Sequence, residues 1–106
     1  MEGTRRHRRY DHEGAVTYRR LGPSAPGGVR NISEGGVMVE LPELLTPGAA
    51  LDLDISLGER SIHAEVEIVW SRNSADGSYS HGCKFTRLEL QDRLTLAVFL
   101  ARVYGG

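Results

Sequence analysis

Two short polar stretches of the sequence have the residue types needed to bind an anion. The first is the N-terminal run RRHRRY, in which Arg5 and Arg9 are four residues apart and Arg6 and Arg8 add further charge. A guanidinium group can grip phosphate with two hydrogen bonds, stack on a planar base, or donate to O6 and N7 of guanine. The run predicts a flexible ligand-binding arm over residues 1–13, with a solvated basic tail as the alternative.

The second stretch is NISEGG, which begins at Asn31. Strand alternation predicts that Ile32 faces the core and that Asn31 and Ser33 point outward together, where they could bond a base edge or a phosphate. Gly35 and Gly36 would let the backbone bend and a ligand approach closely. The two stretches are then halves of one site. An ordinary strand-to-turn corner, with Asn and Ser bonding their own backbone, is the alternative.

The composition is that of one globular domain, with 106 residues, 40% of them hydrophobic and 25% charged. The formal net charge is −1, but arginine is concentrated in residues 1–20, while residues 31–70 are acidic. A local arginine cluster suits a compact anion, whereas DNA usually needs a broader basic stripe. Apolar runs are too short for a membrane span, and the single cysteine, Cys83, allows no internal disulfide. We therefore expect a cytoplasmic protein with neither a DNA nor a membrane partner.

Alternation of apolar and polar residues dominates the middle of the chain. ALDLDISL, residues 50–57, and RSIHAEVEIVWS, residues 60–71, read as strands with one wet face. A hairpin turn is predicted between them at Gly58 and Glu59. Trp70 ends the apolar face of the second strand and is expected in the core, with stacking on a ligand as the alternative. Shorter strands are expected at 15–20, 28–32, 36–41 and 79–86.

The end of the chain changes to helical periodicity. Thr86 and Glu89 match a T-x-x-E capping box, which predicts a helix over residues 87–104. The apolar residues at helical spacing are Leu88, Leu90, Leu94, Ala97, Val98 and Ala101. Five to six antiparallel strands and one terminal helix indicate a small β-barrel that the helix plugs or flanks.

Further apolar residues of this helix lie beside the stripe that should face the barrel. They are Leu96, Phe99, Leu100 and Val103. Monomers seldom expose such an excess, so the helix is predicted to contact a partner protein or a second copy in a homodimer. A helix sunk between the barrel mouth and a loop is the alternative.

Taken together, the two polar stretches resemble the PilZ domain, a bacterial receptor module for cyclic di-GMP. The family has an R-x-x-x-R arm followed by [D/N]-x-S-x-x-G, and here these motifs begin at Arg5 and Asn31. The later stretches GGVMVE, VEIVW and GCKF and the closing helix are also similar, so the resemblance covers nearly the whole chain. It implies a mainly β fold, a six-stranded antiparallel β-barrel with a C-terminal α-helix, as a single domain over residues 14–106.

The resemblance also implies a ligand and a set of residues that hold it. The expected ligand-binding residues are Arg5, Arg6, Arg9, Asn31, Ser33, Gly35 and Gly36. The arm arginines would hold the guanines and phosphates of cyclic di-GMP, and the corner would meet the ligand from the barrel surface. Many members have arginine just before the arm motif, where this chain has Thr4. That vicinity sets whether one or two ligands bind, so both stoichiometries remain open.

The sequence gives less support to other functions. A nucleotide-independent PilZ-like adaptor in motility or pilus assembly would usually lack the arm arginines or the Asn–Ser pair. A nucleic-acid-binding barrel would need more aromatic residues on its open faces. His63, His81 and Cys83 do not form a convincing metal site. We expect no cofactor, and the absence of a nucleophile–base arrangement argues against an enzyme.

Overall fold

The fold is a closed antiparallel β-barrel followed by one helix. The computed structural model of the chain describes residues 8–105. The strands are β1 (Tyr10–Arg19), β2 (Ala25–Ile32), β3 (Gly36–Leu41), β4 (Ala50–Leu57), β5 (Arg60–Asn73) and β6 (Tyr79–Arg87). The helix α1 spans Leu90–Leu100 and continues into a π-helical turn, Ala101–Gly105. The barrel closes in the order β1-β2-β3-β6-β5-β4, which confirms the predicted fold class.

Alternation builds the core as the sequence predicts for β4 and β5. The inward side chains of these two strands are Leu51, Leu53, Ile55, Leu57, Ile62, Ala64, Val66 and Ile68, all buried. The predicted hairpin joins them, with Leu57 paired to Arg60 and Gly58 at a φ of +68°. Such a left-handed conformation is one that glycine adopts without steric cost. Cys83 is also in the core, as expected, and burial raises the pKa of its thiol to about 12.

A β-bulge in β5 overturns the prediction for Trp70. The pairing shifts between Ile68, which faces Cys83, and Trp70, which faces Gly82. The extra residue, Val69, changes the alternation, because a bulge inserts one unpaired position into a strand. Trp70 therefore lies half-buried on the outer face of the barrel, and its assignment to the core was wrong.

The helix begins later than predicted, because the capping box does not form. Thr86 belongs to β6, and its hydroxyl donates to the carbonyl oxygen of Glu65 at 3.0 Å. Glu89 precedes the first helical turn without a side-chain capping bond, and its carboxylate accepts instead from Arg87 Nε at 3.0 Å. The first helical residue is thus Leu90 rather than residue 87.

The face of the helix that packs on the barrel also differs from the prediction. Leu96 and Leu100 are 1% and 4% exposed, whereas Leu94 and Val98, assigned to the barrel-facing stripe, are 56% and 51% exposed. Because the helix has apolar residues on both sides, periodicity alone gave no way to choose between them. Among the described residues, the structure contains no helix long and apolar enough to cross a membrane.

Candidate ligand-binding site

The two polar stretches meet at one hydrogen bond. Arg9 Nη1 donates to Asn31 Oδ1 at a distance of 2.9 Å. Arg9 lies directly before β1, and Asn31 pairs with Asp11 across the β1–β2 ladder. The strand begins at Tyr10, so residues 10–13 of the predicted arm belong to the barrel. Arg5 and Arg6, the other arginines assigned to the site, lie outside the described residues.

Asn31 faces outward because β2 contains a bulge. The pairing with β3 shifts between Val29 and Asn31, and the intervening residue is Arg30. Val29 and Ile32 are both buried, while Arg30 is exposed and Asn31 half-exposed. Two consecutive side chains, one cationic and one an amide, therefore point away from the core at the place where the arm arrives.

Ser33 does not point outward with Asn31, contrary to the sequence prediction. It is 3% exposed, and its Oγ accepts from the backbone N–H groups of Gly35 at 3.0 Å and Gly36 at 3.1 Å. Its own N–H donates to the Gly36 carbonyl oxygen at 2.9 Å. β2 ends at Ile32, so alternation no longer applies, and the hydroxyl closes a local turn. Ser33 therefore shapes the corner that follows Asn31.

Gly36 is needed for strand packing. A Cβ at this position would collide with the carbonyl oxygen of Cys83 on β6, the strand that pairs beside β3. Gly35 anchors the same junction, since its carbonyl oxygen accepts from Phe85 N at 3.0 Å. The serine and the glycines of the motif thus build the corner, and Asn31 is the member that faces the arm.

A row of outward-facing positions continues from Asn31 across three further strands. Asn31 pairs with Met38, Met38 with Gly82, and Gly82 with Trp70. Asn31 Nδ2 donates to Met38 Sδ at 3.3 Å. The indole of Trp70 lies against Gly82 so closely that a Cβ there would collide with its Nε1. We call Asn31, Met38, Gly82 and Trp70 the outer platform.

Two arginines beside the outer platform have different surroundings: Arg30 is bonded to a carboxylate, and Arg72 lies over an aromatic ring. Arg30 Nη1 donates to Glu40 at 2.8 Å, and the same carboxylate accepts from Ser74 at 3.1 Å and Ser80 at 3.3 Å. The guanidinium of Arg72 lies 4.8 Å from the centre of the Trp70 ring. A guanidinium at this distance is attracted by the ring face and keeps its donors available to a ligand.

Aromatic residues fix the root of the arm to the end of the helix. Tyr10 stacks on Tyr104 with ring centres 4.8 Å apart, and the Tyr104 hydroxyl is 2.9 Å from His12 Nδ1. The guanidinium of Arg8 lies 5.7 Å from the centre of the Tyr10 ring. Arg8 and Tyr10 also line a cavity of about 320 Å³ together with Glu34 and Leu100. Arg8 and Tyr10 therefore lie between the corner and the C-terminal turn.

Sequence reasoning did not place Trp70, at the far end of the outer platform, or its neighbour Arg72 in the site. Trp70 was assigned to the core, and Arg72 was not singled out, because no sequence pattern marks the bulge at Val69. His63 and His81 do not converge on Cys83: His81 Nε2 accepts from Leu45 N, and His63 pairs with Asp54. Within residues 8–105, no three His, Cys, Asp or Glu side chains are placed to hold a metal ion.

The fold and the site define a small closed β-barrel that carries a polar and aromatic platform on its outer face, joined to an arginine-bearing N-terminal segment. Residues 3–102 match the PilZ domain family model, and the chain belongs to that family. A search of curated proteins finds no match.

Solved structures of other proteins share the fold. The Bacillus subtilis inhibitor of motility, MotI/DgrA, has a TM-score of 0.81 at 23% identity, over 92% of this chain and 50% of that one. The PilZ domain of Escherichia coli YcgR, solved with c-di-GMP, gives 0.70 at 15% identity, over 89% and 86%. The K. pneumonia MrkH–c-di-GMP complex gives 0.66 at 19% identity, over 95% and 53%. The chain thus spans about half the length of MotI/DgrA and MrkH.

Proposed function

We propose that this domain is a receptor for cyclic di-GMP without catalytic activity. Membership of the PilZ family and the nucleotide complexes of YcgR and MrkH support this ligand. The observation that carries the proposal is the hydrogen bond between Arg9 and Asn31, which brings the two motifs of the family to one place. Binding reports the second messenger by changing the surface that a downstream protein contacts.

The arm arginines and the platform divide the recognition of the ligand. Arg5, Arg6 and Arg9 neutralise the two phosphates and donate to the O6 and N7 atoms of guanine. Asn31 Oδ1 accepts from Arg9 and Nδ2 donates to Met38, which leaves one lone pair and one N–H of the amide for a base edge on the barrel side. Ser33 acts through the corner, because its hydroxyl already bonds the backbone of Gly35 and Gly36.

A guanine base can stack at the Trp70 end of the platform. The Arg72 guanidinium covers the ring of Trp70 at 4.8 Å, so a base either stacks on that guanidinium or takes its place over the indole. Both arrangements pair flat π surfaces, and stacking of a base on an aromatic side chain contributes about 1–3 kcal/mol. Trp70 and Arg72 thereby extend the site across the outer face.

If binding orders the arm, the arm must make several contacts with the ligand, because each ordered residue costs conformational entropy. Fixing one residue costs about 1–2 kcal/mol, while micromolar binding supplies about −8 kcal/mol in total. One phosphate contact is therefore insufficient to order several residues, and several arginines must act together.

A nucleotide-independent adaptor is the second candidate, and the structural roles of Ser33 and Gly36 are compatible with it. Ser33 and Gly36 are used by the fold itself, the serine in the turn and the glycine beneath β6. A chain that had lost nucleotide binding would still need both residues. Their presence therefore does not distinguish a receptor from an adaptor, and the distinction depends on the arm arginines and Asn31.

Calorimetric titration with cyclic di-GMP distinguishes the two candidates. The receptor binds cyclic di-GMP with a dissociation constant of about a micromolar or below, and binds GTP and linear pGpG far more weakly. The same titration gives the stoichiometry of one or two ligands per chain. Absence of heat at a ligand concentration of about 100 µM would reject the receptor and favour the adaptor.

A further inference from the structure

The row of positions that forms the outer platform continues past Asn31 onto β1, where it ends in a carboxylate. Asp11 pairs with Asn31 across the β1–β2 ladder, and Asn31 pairs with Met38 on its other side. Directly paired residues lie on one face of a sheet, with Cβ atoms about 5 Å apart. Asp11 is exposed and Asn31 half-exposed, so both point away from the core. The row thus crosses five strands, from Asp11 to Trp70.

An open cavity of about 330 Å³ lies over the Asp11 end of this row. Its lining residues are Asp11, His12, Glu13, Arg30, Asn31 and Met38. The guanidinium of Arg30 is bonded to Glu40 at 2.8 Å. Of the two carboxylates that line the cavity, Asp11 is the one in the paired row, because the ladder shifts between Asp11 and Gly14. The cavity therefore has a carboxylate directly opposite Asn31.

The carboxylate of Asp11 is available to accept hydrogen bonds from a ligand. Among residues 8–105, it takes part in no hydrogen bond or ion pair. Asn31 adds one donor, since only one of its two amide N–H groups is used by Met38 Sδ, at 3.3 Å. Two acceptor oxygens and one N–H donor therefore stand side by side where β1 meets β2.

Guanine presents the complementary groups on its Watson–Crick edge. Its N2 amine and its N1–H are donors, and the adjacent O6 is an acceptor. A carboxylate accepts from both nitrogens at once, and a neighbouring amide N–H donates to O6. Adenine has no amine at C2, and its N1 lone pair would face the carboxylate. The groups at this end of the row therefore favour guanine over adenine.

We propose that Asp11 is a specificity-determining residue, whose carboxylate accepts hydrogen bonds from N1–H and N2–H of one guanine of cyclic di-GMP. The inference rests on the proposed function and places one part of the ligand. A carboxylate repels phosphate, so a base rather than a phosphate lies at Asp11. Four inter-strand steps of about 4.8 Å each separate Asp11 from Trp70. One base cannot contact both, so Trp70 serves a different base.

The charge of Asp11 gives the proposal a definite sign. Cyclic di-GMP is a dianion, so an exposed carboxylate that does not contact the ligand weakens binding, and neutralising it strengthens binding. A carboxylate that reads guanine has the opposite effect, because neutralising it removes the acceptor of a charge-assisted pair of hydrogen bonds. The direction of the change in affinity therefore distinguishes a contact from a bystander.

Calorimetric titration of the complete chain with cyclic di-GMP and with cyclic di-IMP tests the proposal. The hypoxanthine bases of cyclic di-IMP keep N1–H and O6 but lack the N2 amine. The unchanged protein should bind cyclic di-GMP at least about fivefold more tightly than cyclic di-IMP. Asp11→Asn should weaken the binding of cyclic di-GMP at least about tenfold and reduce that preference. Glu65→Gln is the matched control, because Glu65 is an exposed carboxylate on β5 outside the outer platform; it should weaken neither ligand.

The outcomes distinguish the role of Asp11 from the receptor function. If the unchanged protein does not bind cyclic di-GMP, both are rejected. If it binds, and Asp11→Asn binds as tightly or more tightly, the receptor function stands and Asp11 does not determine specificity. Equal affinity of the unchanged protein for the two ligands would also overturn the role of Asp11, and this comparison requires no variant to fold.

Discussion

Gly36 lies directly beneath the carbonyl oxygen of Cys83, with no room for a side chain between β3 and β6. The glycine that ends the N-x-S-x-x-G motif is therefore part of the barrel wall. We expect Gly36→Ala to lower the free energy of unfolding by about 3 kcal/mol or more, because backbone must move to admit the methyl group. Denaturant unfolding measures the change.

Gly28→Ala is the matched control for this prediction. Gly28 lies in β2, and a Cβ there would meet only the Gly14 carbonyl oxygen at 3.9 Å, an ordinary contact. The free energy of unfolding of the Gly28→Ala variant should therefore change little. If Gly36→Ala were as stable as Gly28→Ala, the close approach of β3 and β6 would be wrong.

Ser33→Ala should affect stability more directly than it affects ligand binding. The change removes the acceptor of two backbone N–H groups in a buried turn, which costs about 1–3 kcal/mol. Cyclic di-GMP binding should weaken modestly, through the displaced corner. Calorimetry and urea unfolding on the same variant separate the two effects. Unchanged stability together with a large loss of affinity would show that the hydroxyl contacts the ligand itself.

Arg9→Ala and Asn31→Ala should each weaken cyclic di-GMP binding by more than about tenfold, with little change in the melting temperature. Each removes a ligand-reading group worth about 1–3 kcal/mol from an exposed contact. The double variant should lose less than the sum of the two, because the side chains are bonded to each other. Arg19→Ala serves as the control, since Arg19 pairs with Asp52 at 3.5 Å elsewhere on β1. If all of these variants bind cyclic di-GMP as tightly as the unchanged protein, Arg9 and Asn31 do not belong to the site.

Trp70 should report ligand binding by its fluorescence, because it is the single tryptophan of the chain. A base that stacks at the platform changes the contact between the indole and Arg72, so emission should change in parallel with calorimetric saturation. Arg72→Ala should alter the emission of the free protein and weaken binding. Emission that stays constant through saturation would place the ligand away from Trp70.

The domain should become less stable as the pH is lowered, because His81 then becomes protonated. Burial lowers the pKa of this side chain, whose Nε2 accepts from Leu45 N. Histidine in an unfolded chain ionises near pH 6.5, so the full stability is present above about that pH. Below it, the unfolded chain takes up a proton that buried His81 resists, and stability is lost.

Urea unfolding at about pH 7.5 and about pH 5.5 measures this loss. His81→Gln should be less stable at the higher pH but should show a smaller difference between the two conditions. His63→Gln, which changes an exposed histidine beside Asp52 and Asp54, should leave the loss in place. If the difference in stability between the two pH values is the same in His81→Gln as in the unchanged protein, His81 is not the source of that difference.

Periodicity predicted the fold where residues obey strand alternation and missed it where one extra residue intervenes. The strands β4 and β5 follow from their apolar faces, and the hairpin follows from Gly58. The outer platform could not be predicted, since the bulge at Val69 that turns Trp70 outward depends on pairing with β6. The corner was predicted as a polar glycine site, but the direction of Ser33 depends on backbone N–H groups that only the folded turn brings together. Strand alternation in the sequence predicts neither the bulge at Val69 nor the direction of Ser33.

Closure of the barrel limits how the domain can recruit other chains. β1 pairs with β2 on one side and, over residues 16–19, with β4 on the other, so the strands of the described barrel form a closed ring. An open edge is the template on which strand addition and edge-to-edge aggregation depend. The domain must therefore recognise its partners through side-chain surfaces.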